Sequence, residues 1–388
     1  MRVAYICADP GIPVFGQKGC SIHVQEVIRS LLQKNVQVSL FTNRLGEKIP
    51  PDFQQVKVYP LPTIPKVERA VRERVARSIN PDLELELSLA QPFDFIYERY
   101  SLWSYSAMEY ARKMGIPGIL EVNAPLILEQ EKHRGLVDKA AAEAIARRVF
   151  EAASTIIAVS REVKEYVSQY VRDAETIKVI PNGVNPQRFK LNLPVKNTKQ
   201  FTVGFVGSLK PWHGLPVLIE AFAAFHQQHP QARLLIVGDG KERDRLTQMI
   251  AEKNLAPAVH FTGAVSPEAV PYWLSQMDVA VAPYPHSDDF YFSPLKVYEY
   301  MAAGLPVIAS HIGQIPEVIE DRVNGLLIPP GDEAALANAL EYLWRSPLLR
   351  RRLGDSARSK ILQHHTWEKV AEKILGFAQQ QEKLEVIG

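Results

Sequence analysis

The sequence predicts an α/β protein with two doubly wound, Rossmann-like domains that face one another across a cleft. Short apolar runs alternate with amphipathic helical stretches along the chain, which is the pattern of parallel sheets covered by helices. A polar, Pro-broken segment at 191–200 divides these runs into two sets and is interpreted as an interdomain linker. At 388 residues the chain has the length of about two domains.

The elements follow from these runs in order. The predicted strands of the first domain, residues 1–195, lie at 3–7, 36–42, 95–97, 119–122, 155–159 and 178–180. Those of the second domain, residues 196–365, lie at 202–207, 233–237, 259–261, 279–282 and 307–309. Helices are predicted over 332–344, 347–353 and 367–380, and residues 366–388 are expected to form a C-terminal helix that crosses back to the N-terminal domain.

The composition excludes several classes of protein. Apolar residues make up 46% of the chain and charged residues 23%, as in globular proteins. A net charge of +2 argues against dedicated nucleic-acid binding. Two cysteines, Cys7 and Cys20, fit a reducing compartment, and the apolar run at the N-terminus is too short for a signal peptide or a membrane span. We therefore expect a cytoplasmic protein, with possible peripheral contact at the inner face of the membrane considered below.

The segment PYPHSDDFYFSPLKVYEYMAAGLPVIAS, residues 283–310, carries the strongest functional signal. Ser293 followed by Pro294 predicts the start of a helix, and Lys296 and Glu299 share one face near that start. A helix N-terminus at the carboxyl end of a strand suits an anion, and a carboxylate one turn further can accept hydrogen bonds from a sugar diol. The segment therefore predicts a nucleotide site, although an ordinary strand–loop–helix crossover remains an alternative.

Two further loops can contribute phosphate contacts. Gly16 and Gly19 follow the first strand and would let backbone amides approach a charged ligand, or they simply form a tight turn before a helix. Lys210 and His213 lie in the loop GSLKPWHG, where the lysine can neutralise a diphosphate and a protonated imidazole can donate to it. The alternative is a solvated lysine beside a half-buried tryptophan.

No metal site is expected. Asp288 and Asp289 are the one adjacent acidic pair in the predicted cleft, and such neighbours in a loop are usually solvated. We therefore expect no cofactor and no metal.

Several motifs, taken in order, resemble the family 4 glycosyltransferases, which are retaining enzymes with the GT-B fold. The segments that carry the resemblance are IIAVSREVKEYV, IKVIPNGVNPQRF, VGFVGSLKPWHG, LLIVGDGKERDRL and SPLKVYEYMAAGLPVIASHIGQIPEVI. The resemblance implies transfer of a sugar from a nucleotide-diphosphate sugar to a glycan, lipid-linked or small-molecule acceptor. In this family the leaving phosphate is thought to take the acceptor proton.

The resemblance also implies the roles of individual residues. Those expected to bind the nucleotide sugar are Gly16, Gly19, Ser208, Lys210, His213, Val265, Tyr291, Ser293, Pro294, Leu295, Lys296 and Glu299. Those expected to take part in catalysis are Lys210, Asn123 and Glu121. The sequence departs from the family where Tyr291 replaces a second glutamate, where Ser208 and His213 replace an arginine and a lysine, and where Asn123 replaces a histidine.

The first domain is expected to bind the acceptor. Glu98, Arg99 and Tyr100 follow a predicted strand and suit sugar hydroxyls and faces, or they cap the strand and pair with neighbours. Residues 67–79 form a basic amphipathic pattern that can either contact anionic lipid or pack on its own domain.

Three other functions remain as alternatives. The first is an enzyme that makes a soluble product such as a phosphorylated disaccharide, and the second is a non-catalytic nucleotide-sugar-binding homologue. The third, a dinucleotide oxidoreductase, is disfavoured because no GxGxxG follows the first strand.

Overall fold

Strongly apolar strands build the first sheet, in which residues 3–7 of the opening strand are completely buried. The computed structural model describes residues 1–46, 48–189 and 200–385, with only the backbone considered for 381–385. In these residues the sheet has seven parallel strands in the order β3-β2-β1-β4-β5-β6-β7. They are β1 (Arg2–Cys7), β2 (Gln37–Thr42), β3 (Lys57–Pro60), β4 (Phe95–Arg99), β5 (Gly118–Val122), β6 (Thr155–Ala158) and β7 (Ile177–Val179).

The helices that belong with this first sheet lie between its strands, except the last one, which follows the second sheet in sequence. They are α1 (Gly19–Gln33), α2 (Arg69–Ser78), α3 (Asn80–Ala90), α4 (Ser106–Lys113), α5 (Leu126–Glu129), α6 (Lys139–Ala152), α7 (Arg161–Ser168) and α15 (Trp367–Glu385). The C-terminal α15 packs on α1, where Lys34 pairs with Glu368 at 2.8 Å and with Glu372 at 3.0 Å.

The second sheet has six parallel strands in the described part of the chain, in the order β10-β9-β8-β11-β12-β13. They are β8 (Thr202–Val206), β9 (Arg233–Val237), β10 (Val259–Gly263), β11 (Val279–Ala282), β12 (Val307–Ser310) and β13 (Leu326–Ile328). The helices are α8 (Leu215–Gln228), α9 (Arg243–Glu252), α10 (Val270–Ser275), α11 (Leu295–Ala302), α12 (Ile315–Val318), α13 (Glu333–Arg345) and α14 (Pro347–His364).

Both faces of the second sheet are covered by apolar side chains. One core contains Phe222 of α8 and Leu340 of α13, and the other contains Val297 and Met301 of α11. Burial on both faces explains why these strands read as continuous apolar runs rather than as alternating patterns. In each sheet the strand order reverses beside the first strand of that unit, at β1/β4 and at β8/β11, and ligands of doubly wound sheets bind outside such points.

The chain forms two compact units, Met1–Asn182 with Trp367–Gly388 and Gly183–Thr366. The predicted boundary between residues 195 and 196, with most of the predicted linker, falls at 190–199, outside the described residues. The prediction of two Rossmann-like α/β domains is confirmed. In the described residues no helix combines the length and apolar character that crossing a bilayer requires.

The sequence pattern missed two edge strands and misplaced one helix end. β3 carries Pro60, and β13 has only three residues, so neither gives the long β-branched run that marks an interior strand. The helix predicted over 347–353 continues to His364, because buried Leu353, Ala357 and Ile361 maintain a helical spacing beyond the predicted end.

Candidate functional site

The loops after β8, β9 and β10 are joined at the carboxyl edge of the second sheet. The backbone N–H of Gly207 donates to Val237 O at 2.9 Å, and that of Leu209 donates to Asp239 O at 2.9 Å. The N–H of Gly238 donates to Gly263 O at 3.0 Å. These bonds fix the glycine-bearing loops as one rim, from which Ser208 and Lys210 project.

Helix α11 is anchored to this rim by a buried tyrosine. The hydroxyl of Tyr300 accepts a hydrogen bond from Val206 N at 2.7 Å and donates to Val206 O at 3.1 Å. Both backbone groups of the last β8 residue are thereby satisfied by a side chain of α11. The rotation of the helix is fixed as a result, and with it the positions of Lys296 and Glu299.

The predicted serine cap of α11 is wrong. The helix begins at Leu295, its N-cap residue is Pro294, and no side chain caps it. The buried Ser293 hydroxyl instead lies 3.4 Å from the Tyr298 hydroxyl, which donates to Gln314 Oε1 at 3.2 Å. The serine therefore joins a buried side-chain network rather than the first turn of the helix.

Lys296 extends from the first turn of α11 toward the rim. Its Nζ lies 4.3 Å from the centre of the Phe205 ring and 5.3 Å from that of Tyr284. In the described parts of the chain this shielded Nζ has no hydrogen-bond partner. Burial lowers the pKa of Lys296 to about 7, although the Glu299 carboxylate acts in the opposite direction. The side chain therefore places an unsatisfied, readily titrated amine at the carboxyl edge of the sheet.

Glu299 lies one turn further along α11 and is half-buried. Its Oε1 is 3.6 Å from Nη1 of Arg188, whose Nη2 donates to Pro267 O at 2.6 Å. A carboxylate has about four acceptor positions, so the contact with Arg188 leaves capacity for further donors. The geometry holds the carboxylate at a fixed orientation beside the rim.

The basic loop after β8 differs from the expectation in one respect. His213 Nδ1 lies 2.6 Å from Ser208 O, so Nδ1–H donates to that carbonyl and Nε2 carries the lone pair. Burial, with the nearby Lys296 ammonium as the second cause, lowers the pKa of His213 to about 3. The imidazole is therefore neutral near pH 7 and lacks the protonated form that the sequence analysis invoked as a phosphate donor.

Lys210 is the half-buried lysine of this loop. Its Nζ lies 5.5 Å from the centre of the Trp212 ring, and that tryptophan is 47% exposed. Lys210 and Lys296 both act on the pKa of His213, with Lys296 the stronger of the two. Two lysines therefore stand near the same imidazole.

The remaining predicted donor-site residues lie along the same edge. Val265 follows β10 and packs against the core of the second unit, and Tyr291 is half-buried with its ring 4.5 Å from that of Phe292. Asp288 and Asp289 are exposed, and the Asp289 N–H is 3.3 Å from the Ser287 hydroxyl.

The first unit contains a buried charged triad at the ends of β4 and β5. Nε2 of His23, on α1, lies 2.8 Å from Glu121 Oε1, and Nη1 of Arg99 lies 3.7 Å from Glu121 Oε2. Burial raises the pKa of Glu121, but His23 and Arg99 outweigh it and hold that pKa below its usual value. Burial lowers the pKa of His23, and Glu121 acts in the opposite direction. Among the alternatives left open for Arg99, the structure favours pairing with a neighbour.

Glu98 and Tyr100 are also inside the unit rather than at its surface. Glu98 is completely buried, and burial raises the pKa of its carboxyl to about 7. Tyr100 is 4% exposed, with its ring 5.0 Å from that of Phe150. The residues proposed for the acceptor thus form the floor of the carboxyl edge and do not line its open surface.

Gly16 does not present its amide to a ligand. Its N–H donates to Pro13 O at 3.1 Å, and its carbonyl accepts from Gln25 Nε2 at 2.9 Å. Gly19 is exposed and begins α1, whose first turn contains no acidic residue. Of the two glycines, only Gly19 keeps a position that fits the expected anion contact.

A cavity at the carboxyl edge of the first sheet was missed by the sequence analysis. Its volume is about 370 Å³, and its walls include residues 9–11 after β1, residues 101–103 after β4, and Leu126 and Gln130 after β5. Asn123, which follows β5 directly, has both amide side-chain atoms buried without a hydrogen-bond partner in the described residues. Residues 101–103 are uncharged and gave no signal in the sequence.

Comparisons with known proteins identify relatives of both units. One family model, described as Glycosyltransferase Family 4, matches residues 18–188, and a second, described as Glycosyl transferases group 1, matches residues 186–360. A D-inositol 3-phosphate glycosyltransferase from Acidothermus cellulolyticus is 27% identical over 95% of this chain and 86% of its own length.

Solved structures share the fold. A sucrose-phosphate synthase from Thermosynechococcus elongatus is 23% identical, with a TM-score of 0.72 over 100% of both chains. Anabaena HepE, solved with UDP and glucose, is 21% identical, with a TM-score of 0.70 over 96% of this chain and 98% of its own.

The two parallel sheets and the matched models define the protein as a glycosyltransferase with the GT-B fold. More specifically, the motifs and the two family models, which together span residues 18–360, support a glycosyltransferase of the family 4 type.

Proposed function

We propose that the protein is a retaining glycosyltransferase that moves a sugar from a nucleotide-diphosphate sugar to a hydroxyl-bearing acceptor. The observation that carries the proposal is the arrangement of Lys296 and Glu299 on one anchored helix, α11. The Lys296 amine is shielded and unsatisfied in the described residues, and an anionic ligand would complete its hydrogen bonding. Glu299, one turn away, offers acceptor capacity for a ribose diol.

The same arrangement suits the chemistry of the leaving group. When the bond to the anomeric carbon breaks, negative charge develops on the diphosphate. A preorganised cation in a partly desolvated site stabilises that charge more effectively than it would in water. Lys296 supplies this cation, and Lys210 adds a second from the loop after β8.

The comparisons support a nucleotide-sugar donor. HepE, a structural relative, was solved with UDP and glucose, so uridine nucleotides are the first donors to test. The acceptor is a sugar, a polyol or a lipid-linked glycan, and the first unit binds it. A proton from the acceptor hydroxyl passes to the leaving diphosphate, so no side-chain base is required.

Calorimetric titration with UDP tests the donor site. Glu299→Gln should weaken binding about 10- to 100-fold, because hydrogen bonds to a charged acceptor contribute roughly 1.5–3 kcal/mol. Glu252→Gln, an exposed change on α9 of the same unit, serves as the matched control and should bind normally. Equal affinity of Glu299→Gln and wild type would remove Glu299 from the nucleotide site.

Stereochemistry and metal use form a separate test. Proton NMR of the early product of UDP-glucose transfer or hydrolysis should show the anomeric configuration of the donor, and activity should persist in excess EDTA. Inversion would contradict the retaining mechanism. Loss of activity in EDTA with recovery in Mg²⁺ would instead indicate a metal site, with Asp288 and Asp289 as the first residues to replace.

A further inference from the structure

The cavity at the carboxyl edge of the first sheet is lined by an unusual set of basic side chains. Three arginines contribute to its wall, two from α2 and one from the segment after α5: Arg69, Arg72 and Arg134. The carboxylates among its lining residues are Asp9 and Glu73.

The carboxylates are committed to the backbone. Asp9 Oδ1 accepts from Gly11 N at 2.7 Å. The buried Glu73 accepts from Val137 N at 2.9 Å and from Asp138 N at 3.0 Å. Each therefore stabilises a loop of the cavity wall, and neither forms an ion pair with Arg69 or Arg72 in the described residues.

Two of the arginines have no acidic partner. Across the described ranges neither Arg69 nor Arg72 lies within 4.0 Å of a carboxylate, whereas Arg134 lies 3.6 Å from Glu129. Exposed arginines without partners are common on protein surfaces, but the location of these two distinguishes them from the others. Both belong to the wall of one concave cavity, while Arg74 of the same helix is exposed and lies outside that wall.

The backbone of the loop after α5 is shaped around one guanidinium. A Cβ at Gly135 would collide with Nη1 and Cζ of Arg69, and Gly135 has φ of +77°, where glycine is favoured. Together with the Glu73 contacts, this close approach holds α2 against residues 134–138. Helix α2, which carries Arg69 and Arg72, is therefore held in place by contacts with the loop before α6.

The cavity also contains hydrogen-bonding capacity for an uncharged polar group. Gln130 lines it, and Gln130 Oε1 is buried without a hydrogen-bond partner in the described residues. An amide oxygen accepts a hydrogen bond from a hydroxyl but not from an ionised phosphate. The wall thus combines cations for an anion with an acceptor for a hydroxyl.

We infer that this cavity binds a phosphate-bearing polyol or sugar, so that the acceptor of the transferase carries a phosphate group. The identification of the ligand as the acceptor rests on the proposed function, whereas the binding site is inferred from the cavity. Arg69 and Arg72 hold the phosphate, since guanidinium groups bind phosphate oxygens in pairs of charge-assisted hydrogen bonds. Gln130 accepts from a hydroxyl of the same molecule.

Binding measurements on the full-length protein test the inference, with glucose 6-phosphate and a short-chain prenyl phosphate as probes and glucose as the uncharged comparison. Glucose 6-phosphate should bind ten times or more tightly than glucose. The double variant Arg69→Ala/Arg72→Ala should weaken that binding at least tenfold. Arg74→Ala makes the same chemical change on the same helix outside the cavity and should have no effect. The prenyl phosphate has no hydroxyl for Gln130 and should bind less tightly than glucose 6-phosphate.

Three results would overturn the inference: no phosphate binding by wild type, binding that survives in the double variant, or equal loss in Arg74→Ala. Vesicles containing phosphatidylglycerol provide the surface control, since binding to them that all three arginines share would indicate a membrane-facing helix. UDP titration of the same variants separates this site from the donor site. The double variant should bind UDP normally, whereas a wild-type protein that binds the phosphate probe but no nucleotide would contradict the proposed function alone.

Discussion

The Nζ of Lys296 lies 3.0 Å from the position that a Cβ at Gly207 would occupy. The rim of the second sheet and the first turn of α11 are thus in such close contact that a single methyl group would displace the amine. Gly207 also has φ of +148°, a conformation that other residues rarely adopt. Gly207 therefore leaves room for the Lys296 amine and also provides the backbone conformation of the turn.

Gly207→Ala should therefore lower kcat about tenfold, because a shift of a few tenths of an ångström in a charge-stabilising group weakens it at the transition state. Gly331→Ala provides the control, since Gly331 has φ of +76° but no atom within 4 Å of its added Cβ. Both changes strain the backbone, whereas only the first moves Lys296. Equal turnover in the two variants would contradict this account.

Lys296→Met should cost more activity than Lys210→Met. The Lys296 amine is enclosed, so its interaction with a developing charge is screened less than that of Lys210 beside the exposed Trp212. We expect kcat/KM to fall about 10- to 100-fold for Lys296→Met, the value of a lost charge-assisted hydrogen bond.

The same variant should be more stable than wild type in the absence of ligand. Burial depresses the pKa of Lys296, so between pH 7 and its ordinary value the unfolded chain binds more protons, and wild-type stability rises with pH in that window. Below pH 7 the folded protein carries an enclosed cation that methionine removes. Thermal unfolding at pH 6 should therefore show a higher Tm for Lys296→Met. A lower Tm together with lower activity would indicate a structural role instead.

Donor binding should take up a proton near pH 8. Lys296 has a pKa of about 7 without ligand, and an adjacent diphosphate favours its charged form and raises that pKa. A nucleotide sugar has no phosphate group that titrates near neutrality, so the uptake reports on the protein. Calorimetry with UDP-glucose in buffers of different ionisation enthalpy should give uptake approaching about one proton at pH 8 and less at pH 6.

The uptake should vanish in Lys296→Met and persist in Lys210→Met. The affinity of wild type should correspondingly decline as the pH rises above 7, because the amine must then be protonated at the expense of binding. Uptake that is independent of Lys296 would assign the proton to another group.

Glu98→Gln should change the pH dependence of stability in the first unit. Burial raises the pKa of Glu98 from 4.5 to about 7, so the folded state retains a proton that the unfolded chain releases in this window. Wild-type stability should therefore fall as the pH rises from 4.5 to 7, and glutamine should remove that decline. Above pH 7 the variant should exceed wild type by roughly 3 kcal/mol, at 1.36 kcal/mol per pKa unit.

Urea unfolding at pH 5 and pH 8 measures this difference. Glu165→Gln, an exposed change on α7 of the same unit, should leave the pH dependence as in wild type. If Glu98→Gln behaves like Glu165→Gln, the Glu98 carboxyl is solvated in solution.

The sequence determined the two parallel sheets and the family, because fully buried strands must be apolar runs and the motifs lie in fixed order along the chain. It also predicted that Lys296 and Glu299 lie on one face near the start of a helix, since residues three apart on a helix share a face whatever surrounds that helix. Local rules missed the edge strands β3 and β13, whose short or Pro-bearing sequences resemble loops.

Only the tertiary structure decided which polar residues are exposed to a ligand. Glu98, Arg99 and Glu121 look like binding residues in the sequence, yet sheet pairing and the arrival of His23 from α1 enclose them. The neutral state of His213 depends on a carbonyl five residues earlier and on a lysine more than eighty residues later. The arginines in the wall of the cavity of the first unit are likewise brought beside Gln130 and Ser101 by parts of the chain that are distant in sequence. Burial and charge pairing depend on contacts between distant parts of the chain, and no local pattern encodes them.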